Sequence, residues 1–285
     1  VGEALRLAIL AVILGALSGC SGLNLVDRVT PASGYQLAAG IHYGSASRQQ
    51  LDVYRPLQAL PGNPVVVFFY GGSWNSGARG QYRFVARALA KRGLTVVVAD
   101  YRLYPEVRYP DFLEDNAQAV GWTHRHIAEY GGNPQRLYLM GHSSGAYNAA
   151  MLALDSRWLQ AVGMAPSDLR GWIGLAGPYD FLPIENPEVK PVFFFPDSPP
   201  DSQPINHVSA GAPPALLMAA NSDSYVNPQR NTAGLAKRLR AEGVKVEDRY
   251  YDRVNHMTLV GSFAWPLAWM APVTAEVLRF IESQP

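Results

Sequence analysis

The sequence predicts an α/β domain with a mostly parallel central sheet of about eight strands, covered by helices on both faces. Three observations predict it. Short continuous apolar runs, such as PVVVFFYGG (64–72) and TVVVADYRL (95–103), read as strands buried on both faces. Longer stretches with helical spacing separate them. The 285 residues, 48% hydrophobic and 16% charged, suffice for one such domain with a sizeable core.

The elements follow in order from about residue 30. QLDVY (50–54) alternates as an early strand, and PVVVFFYGG runs from a buried strand into a glycine turn. QYRFVARALAKRG (81–93) has helical spacing and stops at a glycine. After the strand at 95–103 comes a long amphipathic helix, YPDFLEDNAQAVGWTHRHIAEYGG (109–132), with Pro110 near its start. RLYLMG (136–141) is a strand and SSGAYNAAMLAL (143–154) a helix. GWIGLAG (171–177) and PALLMAA (214–220) are strands, PQRNTAGLAKRLRAEG (228–243) is a helix, KVEDRYYD (245–252) is a strand, and VTAEVLRFIES (273–283) closes as a helix. The Pro- and aromatic-rich stretch 177–208 breaks this rhythm and reads as an irregular, lid-like insertion. Its Phe193, Phe194 and Phe195 either cover a substrate or form a satellite cluster under the loop.

Composition narrows the function. The formal charge is +1 with no long basic run, so nucleic-acid binding has no electrostatic footprint. A single cysteine permits no intramolecular disulfide. No His, Asp and Glu cluster has zinc-like spacing, and no cofactor is implied. The apolar run LAILAVILGAL (7–17) is too short to span a bilayer but suits the core of a secretory signal. It ends in Leu17-Ser18-Gly19-Cys20, which resembles the bacterial lipobox. The expectation is a signal peptide over 1–19, lipidation of Cys20, and a tether and lead-in over 20–44, ahead of the main domain at 45–285. The protein would then be an exported, membrane-anchored lipoprotein, on the outer membrane in a Gram-negative host, touching membrane only through that lipid. The alternative is an uncleaved hydrophobic anchor with an incidental cysteine.

The chemistry centres on LYLMGHSSGAYNAAML (137–152). A strand precedes Ser143 and a helix follows it, with Gly141 and Gly145 at the flanks. That is the strand-turn-helix context in which Gly-x-Ser-x-Gly presents a nucleophile. Ser144 lacks the flanking glycines. A serine needs a base, and in this arrangement the chain order is Ser, acid, His. Histidines 42, 124, 126 and 142 precede Ser143, and His207 leaves little room for an acid before it. His256, in the loop after the last strand, is the candidate base. Asp223, just past the strand PALLMAA, is the candidate acid. Asp248 and Asp252 compete but fall on the last strand, too near His256. The oxyanion donors expected are the backbone N–H of Ser144 and the glycine loop FYGGSWNSG (69–77), at Gly71 and Gly72. Trp74 reads as a pocket wall or as plain packing. Tyr70, Trp74, His142, Phe193, Phe194 and Met257 are the candidate pocket residues.

These residues resemble an α/β-hydrolase of the esterase/lipase type, close to the carboxylesterase, hormone-sensitive-lipase-like and feruloyl-esterase-like (BD-FAE) groups. The resemblance covers about residue 45 to the C-terminus through YGGSWNSG, DYRLYPEVRYPDFLEDNAQAVGW, YGGNPQRLYLMGHSSGAYNAA, APPALLMAANSDSYVNP and NHMTL. It implies the α/β-hydrolase fold, with nucleophile Ser143, acid Asp223, base His256 and an oxyanion loop at Gly71 and Gly72. It also implies scaffold roles for Arg102, Glu106 and Asp115. Tyr70 stands where the family often has His. The elbow Gly-His-Ser-Ser-Gly shifts the match toward feruloyl-esterase-like and kynurenine-formamidase-like members. The implied substrate is a small-molecule ester, with a formamide as the alternative within the same chemistry, and a catalytically silent binding module as the alternative from another class.

Overall fold

The structure, a computed structural model, describes residues 33–284. The expected signal segment 1–19, Cys20 and the first part of the expected 20–44 tether lie outside the described residues. Eight strands form one sheet in the order β1-β2-β4-β3-β5-β6-β7-β8. They are β1 (Tyr35–His42), β2 (Gln50–Pro56), β3 (Val65–Phe69), β4 (Thr95–Ala99), β5 (Leu137–His142), β6 (Leu169–Leu175), β7 (Ala215–Ala220) and β8 (Val246–Tyr251). β1 pairs antiparallel with β2, and β2 with β4. The remaining pairs are parallel. Every residue of β3, β4, β5 and β7 is buried, as their unbroken apolar runs require of strands covered on both faces.

The helices are α1 (Arg83–Ala90), α2 (Asp111–His126), α3 (Ser144–Leu154), α4 (Ser156–Gln160), α5 (Gly234–Ala241), α6 (His256–Gly261) and α7 (Val273–Glu282). α3 is buried along its whole length, which explains why its sequence is apolar all round rather than striped.

Several boundaries differ from expectation for identifiable reasons. β1 lies inside the stretch expected to be tether and lead-in, so the sheet begins before residue 45. Its sequence, YQLAAGIH, has weak alternation, and a register shift between Ala38 and Ile41 breaks the pattern further. α2 ends at His126. A 3₁₀ turn, Ile127–Tyr130, follows and closes at Gly131 with φ 80°. β4 stops at Ala99 because the chain beyond it turns to other partners: the Arg102 N–H donates to Asp115 Oδ2 at 2.8 Å, and the Arg102 guanidinium grips the same carboxylate. Asp115 is fully buried and Arg102 partly so, matching the scaffold role expected of both, while Glu106 is exposed.

The 177–208 stretch is irregular with three short 3₁₀ turns, and it is tied down along its length. Asn231 Oδ1 accepts from the N–H of Tyr179 and Asp180, at 2.6 and 2.9 Å. Gln203 Oε1 accepts from Phe181 N–H at 2.7 Å, and the Tyr147 hydroxyl donates to the Ser202 carbonyl at 2.7 Å. These bonds set the insertion over the carboxyl ends of β5, β6 and β7, where open α/β sheets bind ligands.

Candidate active site

β5 sits between β3 and β6, so its carboxyl end opens at the middle of the sheet. Ser143 follows it with φ 54° and ψ −124°, a conformation L-residues rarely adopt. The sharp turn works only because its neighbours lack side chains. A Cβ on Gly141 would lie 2.1 Å from the Gly145 carbonyl oxygen, and one on Gly145 would lie 2.1 Å from that of Phe69. Ser143 N–H donates to the Leu175 carbonyl at 2.9 Å, tying the elbow to β6.

His256 is not in a loop, as the sequence suggested, but is the first residue of α6. Asn255 caps that helix: its Oδ1 accepts from Met257 and Thr258 N–H at 3.1 and 2.9 Å, and Thr258 Oγ1 accepts from Asn255 N–H at 2.7 Å. The cap fixes the backbone from which the imidazole projects. His256 Nε2 lies 2.9 Å from Ser143 Oγ, and its Nδ1 lies 2.7 Å from Asp223 Oδ2. The other oxygen of Asp223 accepts from Tyr225 and Val226 N–H at 2.8 and 2.9 Å. Burial works against ionisation of Asp223, but the bond to His256, its charge and the two backbone N–H groups outweigh it. The carboxyl is thereby held below its usual range. An ionised Asp223 only accepts, so Nδ1 carries the proton and Nε2 is left to accept from the Ser143 hydroxyl. The competing acids are engaged elsewhere. Asp248 pairs with Arg240 and accepts from the Tyr250 hydroxyl, while Asp252 accepts from Asn221 Nδ2 at 2.6 Å.

A cleft of about 480 Å³ opens over these residues. Of the predicted site residues, Gly71, Gly72, Trp74, His142, Ser143, Ser144, His256 and Met257 line it. Trp74 is both wall and packing: it faces the cleft, is 2% exposed, stands edge-on to Phe193 and Tyr147, and donates from Nε1 to Asn148 Oδ1 at 3.0 Å. Three expectations are corrected. Tyr70 is not among the lining residues; its ring turns back into the core and stacks between Tyr82 and Tyr101. Phe193 is fully buried beneath Trp74, part of the main hydrophobic core rather than a cover or a separate satellite cluster. Phe194 sits at a left-handed turn, with its exposed ring beside the Arg108 guanidinium, away from the cleft. Phe195 is likewise exposed, against Lys190.

The insertion instead contributes Phe181, Ile184 and Val189 to the cleft. Their signal in the sequence was nearness to the carboxyl end of β6. Tyr225 was also missed. Its ring centroid lies 5.1 Å from that of His256, and its signal was position two residues after the acid. Ser73 was missed as well. The Gly72 carbonyl faces Asn75 N–H, Ser76 N–H and Ser76 Oγ, each at 3.0 Å. A trans peptide sets its N–H opposite its carbonyl, so the N–H of Ser73 points away from that turn. Among the described residues, no group of three or more His, Cys, Asp or Glu side chains is placed to hold a metal ion.

The elbow on β5 and the insertion over the sheet's carboxyl edge define an α/β-hydrolase of the esterase type. A family model described as BD-FAE matches residues 51–239, and the chain belongs to that family. It is 30% identical over 241 residues to a probable isoprenylcysteine alpha-carbonyl methylesterase, ICMEL1, of Arabidopsis thaliana, covering 77% of this chain and 50% of that protein. It therefore spans about half the length of that relative. It is 26% identical over 230 residues to kynurenine formamidase of Danio rerio, covering 79% of this chain and 76% of the formamidase. Among solved structures, esterase B from Lactobacillus rhamnosis superposes with a TM-score of 0.76 at 18% identity, over 98% of this chain and 96% of that one, a likeness of fold.

Proposed function

We propose that the chain is a serine carboxylic-ester hydrolase acting on small acyl or aryl esters. The observation that carries this reading is the continuous hydrogen-bonded line from Asp223 through His256 to Ser143 at the floor of the cleft. Ser143 Oγ attacks the ester carbonyl while His256 Nε2 takes its proton. Asp223 holds the imidazole in that tautomer and stabilises the imidazolium. The developing oxyanion is received by backbone N–H groups: that of Ser144, which has no acceptor within its own helix because it opens α3, and those of the glycine loop at Gly72 and Ser73. Gly71 keeps the loop close, since a Cβ there would lie 2.8 Å from that of Ser143. His256 then returns the proton to the leaving alcohol, and water, activated by the same imidazole, releases the acid from Ser143. The test is hydrolysis of p-nitrophenyl acetate and butyrate by the parent and by Ser143→Ala. The parent turns both over, and the variant falls by several orders of magnitude. Equal rates would remove Ser143 from the mechanism.

A second reading, arylformamidase, is favoured by the formamidase relative, of which this chain spans 76%. The same groups would cleave an N-formyl arylamine, with His256 protonating a leaving amine. Rates on N-formylkynurenine and on acetyl and feruloyl esters, measured side by side, separate the two readings.

For the N-terminus we propose lipidation at Cys20 and attachment to the envelope through that lipid. A mature protein whose mass lacks an acylated Cys20 would end this proposal.

A further inference from the structure

One guanidinium meets both ends of the glycine loop. Arg48 lies in the connection between β1 and β2. Its Nη2 donates to the Tyr70 hydroxyl at 2.7 Å and to the Gly77 carbonyl at 2.8 Å, and its Nε donates to the Tyr101 carbonyl at 2.9 Å. Tyr70 opens the loop that Gly77 closes. Inside that span the chain takes positive φ at Gly72, Ser73, Trp74 and Gly77, at 140°, 51°, 58° and 106°. Two of these are non-glycine residues, so surrounding contacts must impose the conformation. Within the loop, Trp74 is held by the Tyr104 N–H on its carbonyl at 2.8 Å and by Asn148; the loop's ends are held by the contacts around Tyr70. Its ring stacks on Tyr101 and Tyr82, with centroids 4.9 and 5.8 Å away. Its carbonyl accepts from the Tyr101 hydroxyl at 2.8 Å. The turn at Gly77 wraps onto the ring so closely that a Cβ there would lie 2.7 Å from it. Among the described residues, Arg48 is the one group that bonds the side chain at one end of the loop and the backbone at the other. Asp100, 3.9 Å from Nη2, supplies a countercharge.

We infer that Arg48, acting through Tyr70 and Gly77, is the positioning residue of the oxyanion loop. It touches no substrate. It fixes the loop ends so that the backbone donors at Gly72 and Ser73 are set before substrate arrives, and its effect falls on the transition state rather than on substrate affinity. The planar fork of arginine is essential, because a lysine ammonium cannot span three acceptors in this fixed geometry. Tyr70, whose place in the sequence suggested a pocket residue, is the strut that Arg48 grips. This inference rests on the esterase reading for its catalytic consequence but not for its structural one.

The experiment uses the whole chain and two readouts. Backbone amide exchange across residues 70–77 is compared in the parent, Arg48→Met and Arg48→Lys. Kinetics on p-nitrophenyl butyrate are normalised to sites titrated by a fluorophosphonate, together with inhibition by phenylboronic acid, a tetrahedral analogue. Arg48→Met should speed exchange at Asn75 and Ser76 at least tenfold and lower kcat by about 10- to 100-fold. It should raise the boronate Ki in parallel and leave KM within about threefold. Arg48→Lys should recover only part of each loss. Should Arg48→Met not fold, Tyr70→Phe, which removes the hydroxyl that accepts from Arg48 and keeps the stacked ring, should shift all three quantities in the same direction by a smaller factor. Unchanged exchange overturns the latch whether or not the chain hydrolyses esters. Faster exchange with unchanged kcat and Ki overturns its positioning role. A parent with no esterase activity and no label overturns the esterase reading, and amide exchange then decides the latch alone.

Discussion

His142 Nε2 donates to the backbone carbonyl of His256 at 3.0 Å, so the residue before Ser143 holds the main chain of His256. Ser143 and His256 are thus joined twice, once through Oγ and Nε2 and once through the neighbouring ring. The imidazole of His142 is 1% exposed, and its centroid lies 4.9 Å from that of His256. Burial, followed by the nearby His256 charge, pushes its pKa from 6.5 down to about 3.

That shift predicts a pH dependence of stability. Between pH 6.5 and about 3 the unfolded chain binds a proton at His142 that the folded chain does not. The contribution is therefore fully present above pH 6.5 and is lost as pH falls, at up to about 1.4 kcal/mol per pH unit. His142→Gln keeps an N–H donor but removes the titration. Its melting temperature should decline less steeply than the parent's between pH 7 and pH 4. Parallel declines would contradict the burial argument.

The proposed mechanism uses Asp223 as its acid rather than either competitor. Asp223→Asn leaves the shape of the site but offers His256 an amide that can stabilise the wrong tautomer. It should lower kcat by about 10²- to 10⁴-fold. Asp248→Asn should change kcat less than about threefold, since that carboxylate serves Arg240 and Tyr250 at the sheet edge. Steady-state kinetics of the two variants make the comparison, and a larger loss in Asp248→Asn would reverse the assignment.

The elbow tolerates no side chain at its flanks. Gly145→Ala would set a methyl group 2.1 Å from the Phe69 carbonyl oxygen, which is backbone of a buried strand and cannot move aside. The expected loss is about 3 kcal/mol or more, a fall in melting temperature of about 6–12 °C. Gly163→Ala is the control. Its φ is 75°, but nothing lies within 4 Å of the added carbon, so it bears only the backbone strain of about 1–2 kcal/mol. Equal melting temperatures for the two variants would contradict the packing account.

The sheet and the meeting of Ser143, Asp223 and His256 were legible in the sequence because both leave local marks. Continuous runs such as VVVFF and TVVVA mark strands covered on both faces, and Gly141 and Gly145 mark a turn crowded by backbone. The order of Ser143, Asp223 and His256 follows from topology, since each ends or follows a strand at the same edge of the sheet. The walls of the cleft left no such marks. Whether Phe193 or Phe181 faces the cleft depends on how an irregular segment is pinned by Asn231 and Gln203, which has no period to read. β1 was hidden by its bulge. Arg48 stands 22 residues before Tyr70, and nothing near either residue announces the other.

The central claim is that Ser143 is a nucleophile activated by His256. It is tested most directly by reacting the whole protein with a fluorophosphonate and locating the adduct by peptide mass spectrometry. The account predicts one phosphonylated residue, Ser143, with labelling abolished in Ser143→Ala and slowed at least about 10²-fold in His256→Gln. An unlabelled protein, an adduct on another residue, or a His256→Gln variant labelled at the parent's rate would contradict it.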